Sequence, residues 1–404
     1  MSYISNCRIF IEKNKARYLN LIEEWAAINS HSYNTFGLQK CLHAISQAFT
    51  FPNKKEHSLS HHKIVADDGS TTELPLGQAL EIFSQNNAKD FVLLAGHYDT
   101  VYKPTSPFQH TSRHGDRLSG PGVADMKGGL AVLLASLEAF ESCYTGKKIE
   151  WKVLITPDEE IGSPGSKSLY KKQSKDCLAA LIFEPAFSTG AWVDQRSGSY
   201  NVTIDVRGKA AHAGRDFEKG KSALLAFSPL LSALRELPRI CTEMTGSKVT
   251  INVGKLTAGS AYNIVPDFCI ARINIRSTSL NALQFTQKTL RDLIDIFDLD
   301  ADIRMNLIED GFHPPKTLDE KTKKLFDLLK SSAQELQIPF KTDVSYGATD
   351  GSDLASYGIP TLDSLGVVGG DLHTENEYMH IDRFTERALV SALLLSKLSD
   401  GKSA

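Results

Sequence analysis

The chain changes its hydrophobic rhythm twice. From about residue 13 to residue 191, segments with helical spacing alternate with short runs that are apolar at every position; residues 130–141 are one such helix, and 92–95 and 153–155 are two such runs. A strand that is apolar on both sides belongs in a sheet covered by helices on both faces, and such sheets are mostly parallel. Between about Gln195 and Glu309 the rhythm becomes strict alternation. Tyr200, Val202, Ile204 and Val206 are interleaved with Asn201, Thr203, Asp205 and Arg207, and the same period of two recurs at Val249, Ile251 and Val253, at Cys269, Ala271, Ile273 and Ile275, and at Ile303, Met305 and Leu307. Period two marks strands with one wet face. With helices predicted over 223–236 and 283–297, the order is strand, helix, strand, strand, helix, strand, which is that of a ferredoxin-like two-layer unit. A helix over 319–335 and an apolar run over 360–365 then restore the first rhythm, so the two-layer unit reads as an insertion. The expected fold is α/β: a mostly parallel sheet with helices on both faces, built from residues 1–194 and 310–404, with an inserted ferredoxin-like α+β domain at 195–309. No internal repeat or low-complexity linker interrupts it.

Five of the apolar runs lead into residue types that bind metals. Residues 91–95 run into Gly96-His97-Tyr98-Asp99, 151–156 into Pro157-Asp158-Glu159-Glu160, and 178–183 into Glu184; 361–368 lead through two glycines to His373, and 119–124 precede Asp125. In an open α/β sheet, ligands collect beyond the carboxyl ends of parallel strands, so residues far apart in sequence can converge there. Two histidines with several carboxylates make a set suited to zinc, which takes imidazole nitrogen and carboxylate oxygen. Asp99, one residue beyond His97-Tyr98, is placed to hold the second ring nitrogen of His97 and fix its tautomer. Three adjacent acids at 158–160 repel one another unless a cation neutralises them. A carboxylate bridging two coordination shells is the arrangement of two-metal hydrolases. The other histidines give no such pattern: His57, His61 and His62 lie in a polar stretch and read as surface residues, and His110, His114, His313 and His380 have no partner at a ligand spacing. Gly128-Gly129 is too short for a phosphate loop.

Size and charge narrow the class. At 404 residues, with 41% hydrophobic and 23% charged positions and a formal charge of -3, the chain has ordinary globular composition and reads as two domains. Near-balanced charge gives no reason to expect nucleic acid or an anionic membrane surface as partner. No apolar stretch approaches the roughly 18 to 20 residues that span a bilayer. The first 22 residues alternate charged and apolar positions, unlike a signal peptide. Six scattered cysteines without a C-x-x-C pair point to reduced thiols and a cytoplasmic setting.

The segments Gly96-His97-Tyr98-Asp99-Thr100-Val101, Gly120-Pro121-Gly122-Val123-Ala124-Asp125-Met126-Lys127-Gly128-Gly129 and Asp158-Glu159-Glu160-Ile161-Gly162-Ser163 resemble the signatures of the dinuclear zinc peptidase family of aminoacylase, acetylornithine deacetylase, succinyl-diaminopimelate desuccinylase and glutamate carboxypeptidase. Phe183-Glu184-Pro185, residues 207–214 and Asp363-Ser364-Leu365-Gly366 bring the bacterial glutamate carboxypeptidases nearest. The resemblance covers nearly the whole chain. It implies two zinc ions, with cobalt or manganese as substitutes: Asp125 bridging, His97 and Glu184 completing one site, Glu160 and His373 the other. It also implies Glu159 as general base, Asp99 behind His97, and a cis peptide at Asp125-Met126. In the inserted domain, acting as lid and dimerisation surface, it implies His212 as an oxyanion donor reaching the partner's site in a homodimer. Asn263 and Arg276 match positions that grip the substrate's free carboxylate. The loop of residues 346–353, with Gly351, is expected to line the same pocket, although it departs from the run of consecutive glycines of the carboxypeptidases.

The expected activity is therefore a metallopeptidase or amidohydrolase of glutamate carboxypeptidase type, acting on a small or dipeptide-like substrate at an amide beside a free carboxylate. An N-acyl-amino-acid deacylase is the alternative within enzymes. A binding protein that kept the fold and lost its chemistry is the alternative outside them, and it predicts a gap among the ligands or at the base, where every position is filled.

Overall fold

The computed structural model describes residues 2–86, 88–297 and 302–401. Its main sheet has six strands, which in chain order are β1 (Lys54–Ser58), β2 (Gln78–Phe83), β3 (Phe91–His97), β4 (Glu150–Thr156), β5 (Cys177–Ile182) and β6 (Thr361–Leu362); in space the order is β1-β2-β4-β3-β5-β6. The four from β4 to β6 are parallel, and β1 and β2 are joined to that edge by antiparallel pairing. The continuous apolar runs have the predicted cause. In β3, Val92 and Leu94 enter one core, and Phe91, Leu93 and Ala95 enter another on the opposite face. The first core holds the helices Tyr3–Ala26, Lys127–Cys143 and Phe384–Ser399, and the second is closed by Lys167–Gln173 and Asp350–Ser356.

The alternating segments form a second sheet in the spatial order Val249–Ala258, Phe268–Ser277, Gly198–Arg207, Arg304–His313, all antiparallel. Tyr200, Val202, Ile204 and Val206 pack beneath the helices Ala223–Thr245 and Leu280–Phe297 in a core of their own. The other face is less wet than alternation implies. Arg272 donates to the Val65 carbonyl (2.9 Å) and to Asp67 (3.1 Å), and Arg207 donates to the carbonyls of Asp68 and Gly69. These contacts lay a hairpin, His62–Val65 with Thr71–Leu74, across the polar face.

Tertiary contacts also correct the reading of the solitary histidines. His57 pairs with Glu81 (2.7 Å), His62 with Tyr33 (3.1 Å), His313 with Asp353 (2.8 Å) and His380 with Asp116 (2.8 Å). Each partner is remote in sequence or on another element, so no spacing rule could reveal it. Among the described residues, no helix is long and apolar enough to cross a membrane.

Candidate metal centre

Parallel strands end together, and the donors leave them together. His97 is the last residue of β3, Glu159 and Glu160 follow β4, and Glu184 follows β5. Asp125 comes from the turn before the helix Lys127–Cys143, and the Asp125-Met126 peptide is cis. That helix can start so close to the strand ends because of Gly128 and Gly129. A Cβ on Gly129 would stand 1.9 Å from the Phe183 carbonyl oxygen, and one on Gly128 would stand 2.1 Å from that of Val123. The glycine pair is therefore a packing device. His373 arrives on the loop after Gly369–Gly370, with φ of 62°.

The donors form two triads that share one residue. His97, Asp125 and Glu184 make the first, and Asp125, Glu160 and His373 the second. His97 Nε2 lies 3.1 Å from Asp125 Oδ1 and 3.6 Å from Glu184 Oε1. His373 Nε2 lies 3.3 Å from Asp125 Oδ2 and 3.2 Å from Glu160 Oε2. Asp125 thus offers one oxygen to each side. Glu159 belongs to neither triad and stands 4.0 Å from His97 Nε2.

The charges of the protein groups test whether a cation fits. Burial, reinforced by Glu184, pushes the Glu159 carboxyl well above its usual range, and burial with Asp125 pushes Glu160 up to about 7. Glu184 is likewise raised well above its ordinary value by burial. His373 is pushed up to about 11 by Asp125 and Glu160; His97 is raised against the cost of its burial by Asp125 and Asp99. Four carboxylates in one buried cluster ask for more positive charge than two imidazoles carry, and the oxygen and nitrogen donors are those that hold zinc and similar divalent ions.

Two residues organise the cluster from behind. Asp99, fully buried, has Oδ1 3.3 Å from His97 Nδ1; it accepts the backbone N–H of Glu159 on Oδ1 and of Glu160 on Oδ2, both at 3.2 Å, and the Ser32 hydroxyl at 2.7 Å. The Asp99 backbone carbonyl, 3.1 Å from His97 Nδ1, thus orients the donor imidazole with the carboxylate close by, and the carboxylate fixes the turn that carries two acids. Glu377 does the same for the Asp125 turn. It accepts N–H groups from Gly122 (3.2 Å), Ala124 (2.8 Å) and Asp125 (3.0 Å), and the Tyr102 hydroxyl (2.7 Å). The sequence reading passed over both Ser32 and Glu377, because Glu377 lies in a polar run beside Glu375 and Asn376 that looks solvated. Asp158 differs from its two neighbours. It turns away from the donors to accept the N–H groups of Gly165 (2.7 Å) and Ser166 (3.1 Å), so only two of the three adjacent acids face the cluster.

A cavity of about 450 Å³ opens over the donors, lined by Asp125, Glu159, Glu160, Glu184 and His373 together with Arg196 and residues of the 185–188 and 345–349 loops. The 345–349 loop supplies Ser345, Gly347, Ala348 and Thr349, while Gly351 is buried in the following helix, facing Asp363 and Ile182. Arg276 donates to the Tyr346 carbonyl at the cavity's rim. His212 and Asn263 are exposed and meet each other's segments through the Ala213 N–H to Asn263 carbonyl bond (2.9 Å). Within one chain, neither lines the cavity.

A covered parallel sheet beside whose strand ends two donor triads share an aspartate fits the class of metal-dependent hydrolases. Within that class, the chain belongs to the peptidase family M20/M25/M40, whose profile matches residues 93–397. It is 31% identical over 326 residues to carboxypeptidase G2 of Pseudomonas sp. (strain RS-16), covering 77% of this chain and 74% of that protein. It is 29% identical over 307 residues to a succinyl-diaminopimelate desuccinylase of Pseudomonas syringae pv. syringae, covering 70% and 76%. The fold is also that of a Staphylococcus aureus tripeptidase, with a TM-score of 0.70 at 23% identity over 96% of this chain and 98% of the other.

Proposed function

We propose that the protein is a zinc-dependent amidohydrolase of carboxypeptidase type, cleaving an amide beside a free carboxylate. The observation that carries this reading is Glu159, a largely buried carboxylate that lines the cavity beside donors of both triads and belongs to neither. In this reading His97, Asp125 and Glu184 would hold one zinc ion and Asp125, Glu160 and His373 a second; cobalt or manganese could replace zinc. When bound, the ions supply Lewis acidity toward the amide carbonyl and lower the pKa of a water. Glu159 takes the proton of the attacking water and passes it to the leaving amine. Asp99 keeps His97 in the tautomer that presents Nε2 to the centre.

The second sheet supplies the rest. Arg276 and Asn263 grip the substrate's free carboxylate, for which a guanidinium is the natural bidentate partner. His212 of the partner subunit donates to the developing oxyanion in a homodimer. Exposed Leu224, Leu225, Leu231, Ile240 and Met244 on the helix Ala223–Thr245 support association through apolar surface of that helix. The six free cysteines support a reducing, cytoplasmic setting. The relative named as a desuccinylase favours a second reading, an N-acyl-amino-acid deacylase. Hydrolysis of a panel of N-acyl amino acids and dipeptides by zinc- or cobalt-reconstituted protein separates the two. Absence of turnover across the panel, with both metals bound, sinks both.

A further inference from the structure

The cavity above the donors has two unlike walls. One is the carboxylate and imidazole cluster. The other is mostly apolar, with Pro185, Ala186, Phe187, Val193, Ala348 and Leu372, and its uncharged polar side chains are the hydroxyls of Ser188, Ser345 and Thr349. Among the described residues lining the cavity, only one ionisable side chain lies outside the triads and Glu159, and that is Arg196. Its charge is already taken. Nε and Nη2 donate to the two oxygens of Asp363 at 2.5 and 3.0 Å, and Nη1 donates to Ser345 Oγ and the Gly347 carbonyl, both at 3.1 Å. Asp363 is fully buried and also accepts the Thr349 hydroxyl at 2.8 Å. With four of its five N–H groups so engaged and a carboxylate paired bidentately to it, the guanidinium has its charge offset before a ligand arrives. The adjoining polar recess beside Glu160 repeats this: its cation, Arg272, is held by Asp67 and the Val65 carbonyl.

We infer that the substrate group entering this cavity is uncharged and apolar, and that Asp363 sets the preference by neutralising Arg196. The inference rests on the amidohydrolase reading and names its substrate class, an N-acyl or peptidyl amino acid with an aliphatic or aromatic substituent. A second carboxylate, such as that of a glutamate side chain, would enter an apolar wall with no free cation, and a charge desolvated without a partner binds poorly. Asp363 acts through Arg196, so it is a positioning residue.

The test compares N-acetyl-leucine and N-acetyl-phenylalanine with N-acetyl-glutamate, and N-hexanoyl-glycine with N-succinyl-glycine, so that both sides of the amide are sampled. Zinc-reconstituted wild type should favour the apolar member of at least one set by about ten-fold or more in kcat/KM. Calorimetric binding of the same compounds to zinc-loaded Glu159→Gln protein should show the same order. Two variants move the ratio toward the acidic compound, by about ten-fold. Asp363→Asn frees the charge of Arg196, and Ser188→Arg adds a cation at an exposed position on the cavity rim, where folding is not at stake. Preference of wild type for the acidic member in both sets overturns the inference while leaving the hydrolase reading intact. Apolar binding preference without any turnover does the reverse. An unchanged ratio in Ser188→Arg also counts against the neutral wall as the cause.

Discussion

Glu159 and Glu160 are adjacent, identical in type and both half-buried in the cluster, yet the geometry separates them. Glu160 lies 3.2 Å from His373 within a donor triad, whereas Glu159 stands 4.0 Å from its nearest imidazole nitrogen. Replacing Glu159 with Gln should therefore leave both metals bound, as read by elemental analysis, while lowering kcat by about 10² to 10⁴, the usual worth of a general base. Glu160→Gln should lose metal instead. Glu377 makes no contact with either triad's donor atoms except through the Asp125 backbone, so its removal tests support of the turn. Glu377→Ala should weaken metal binding about 10- to 100-fold, the usual effect of losing a group that orients a ligand. Titration of the chelated protein with zinc measures this, and an affinity equal to wild type would show that the Asp125 turn holds itself.

The elements explain why so many donors converge. Parallel β3, β4 and β5 bring His97, the 159–160 turn and Glu184 to one edge, and the helix Lys127–Cys143 is drawn against them by two glycines. Gly129→Ala must push that helix off the Phe183 carbonyl, because its Cβ has no space at 1.9 Å. Such overpacking in a buried contact should cost about 2 kcal/mol or more, visible as a lower thermal midpoint, and it should also displace Asp125 relative to Glu184. A wild-type midpoint in the alanine variant would mean the helix start can yield freely. The hairpin over the second sheet was illegible in sequence for a related reason. Most of its strand residues are polar, with Ile64, Val65 and Leu74 the exceptions, and it is placed in part by arginine contacts to its backbone carbonyls and to Asp67, which leave no periodicity behind.

At the scale of the molecule, the centre is a concentration of negative charge that folding must assemble. Metal that binds the folded chain and not the unfolded one stabilises it by mass action, about 4 kcal/mol when free metal exceeds Kd a thousandfold. Chelation should thus lower the melting temperature, and added zinc should restore it; an unchanged melting curve would argue that no ion occupies the triads. If His212 of the partner subunit completes the site, activity should fall as the protein is diluted into monomer, which light scattering alongside the assay can follow. The sequence by itself determined the two rhythms, hence a doubly covered sheet and a one-sided sheet, because burial on one face or two dictates which positions can be apolar. It also offered His97, Glu184 and the 158–160 acids as candidate donors by residue type and place, while their division into ligands and base came from the resemblance to a family. Only the tertiary structure decided that Asp158 turns away, that Glu377 and Ser32 turn inward, and that Arg196 is silenced by Asp363. Those are choices of orientation among polar side chains, made by hydrogen bonds between segments as distant as Gly122 and Glu377. Chain order carries no trace of such bonds.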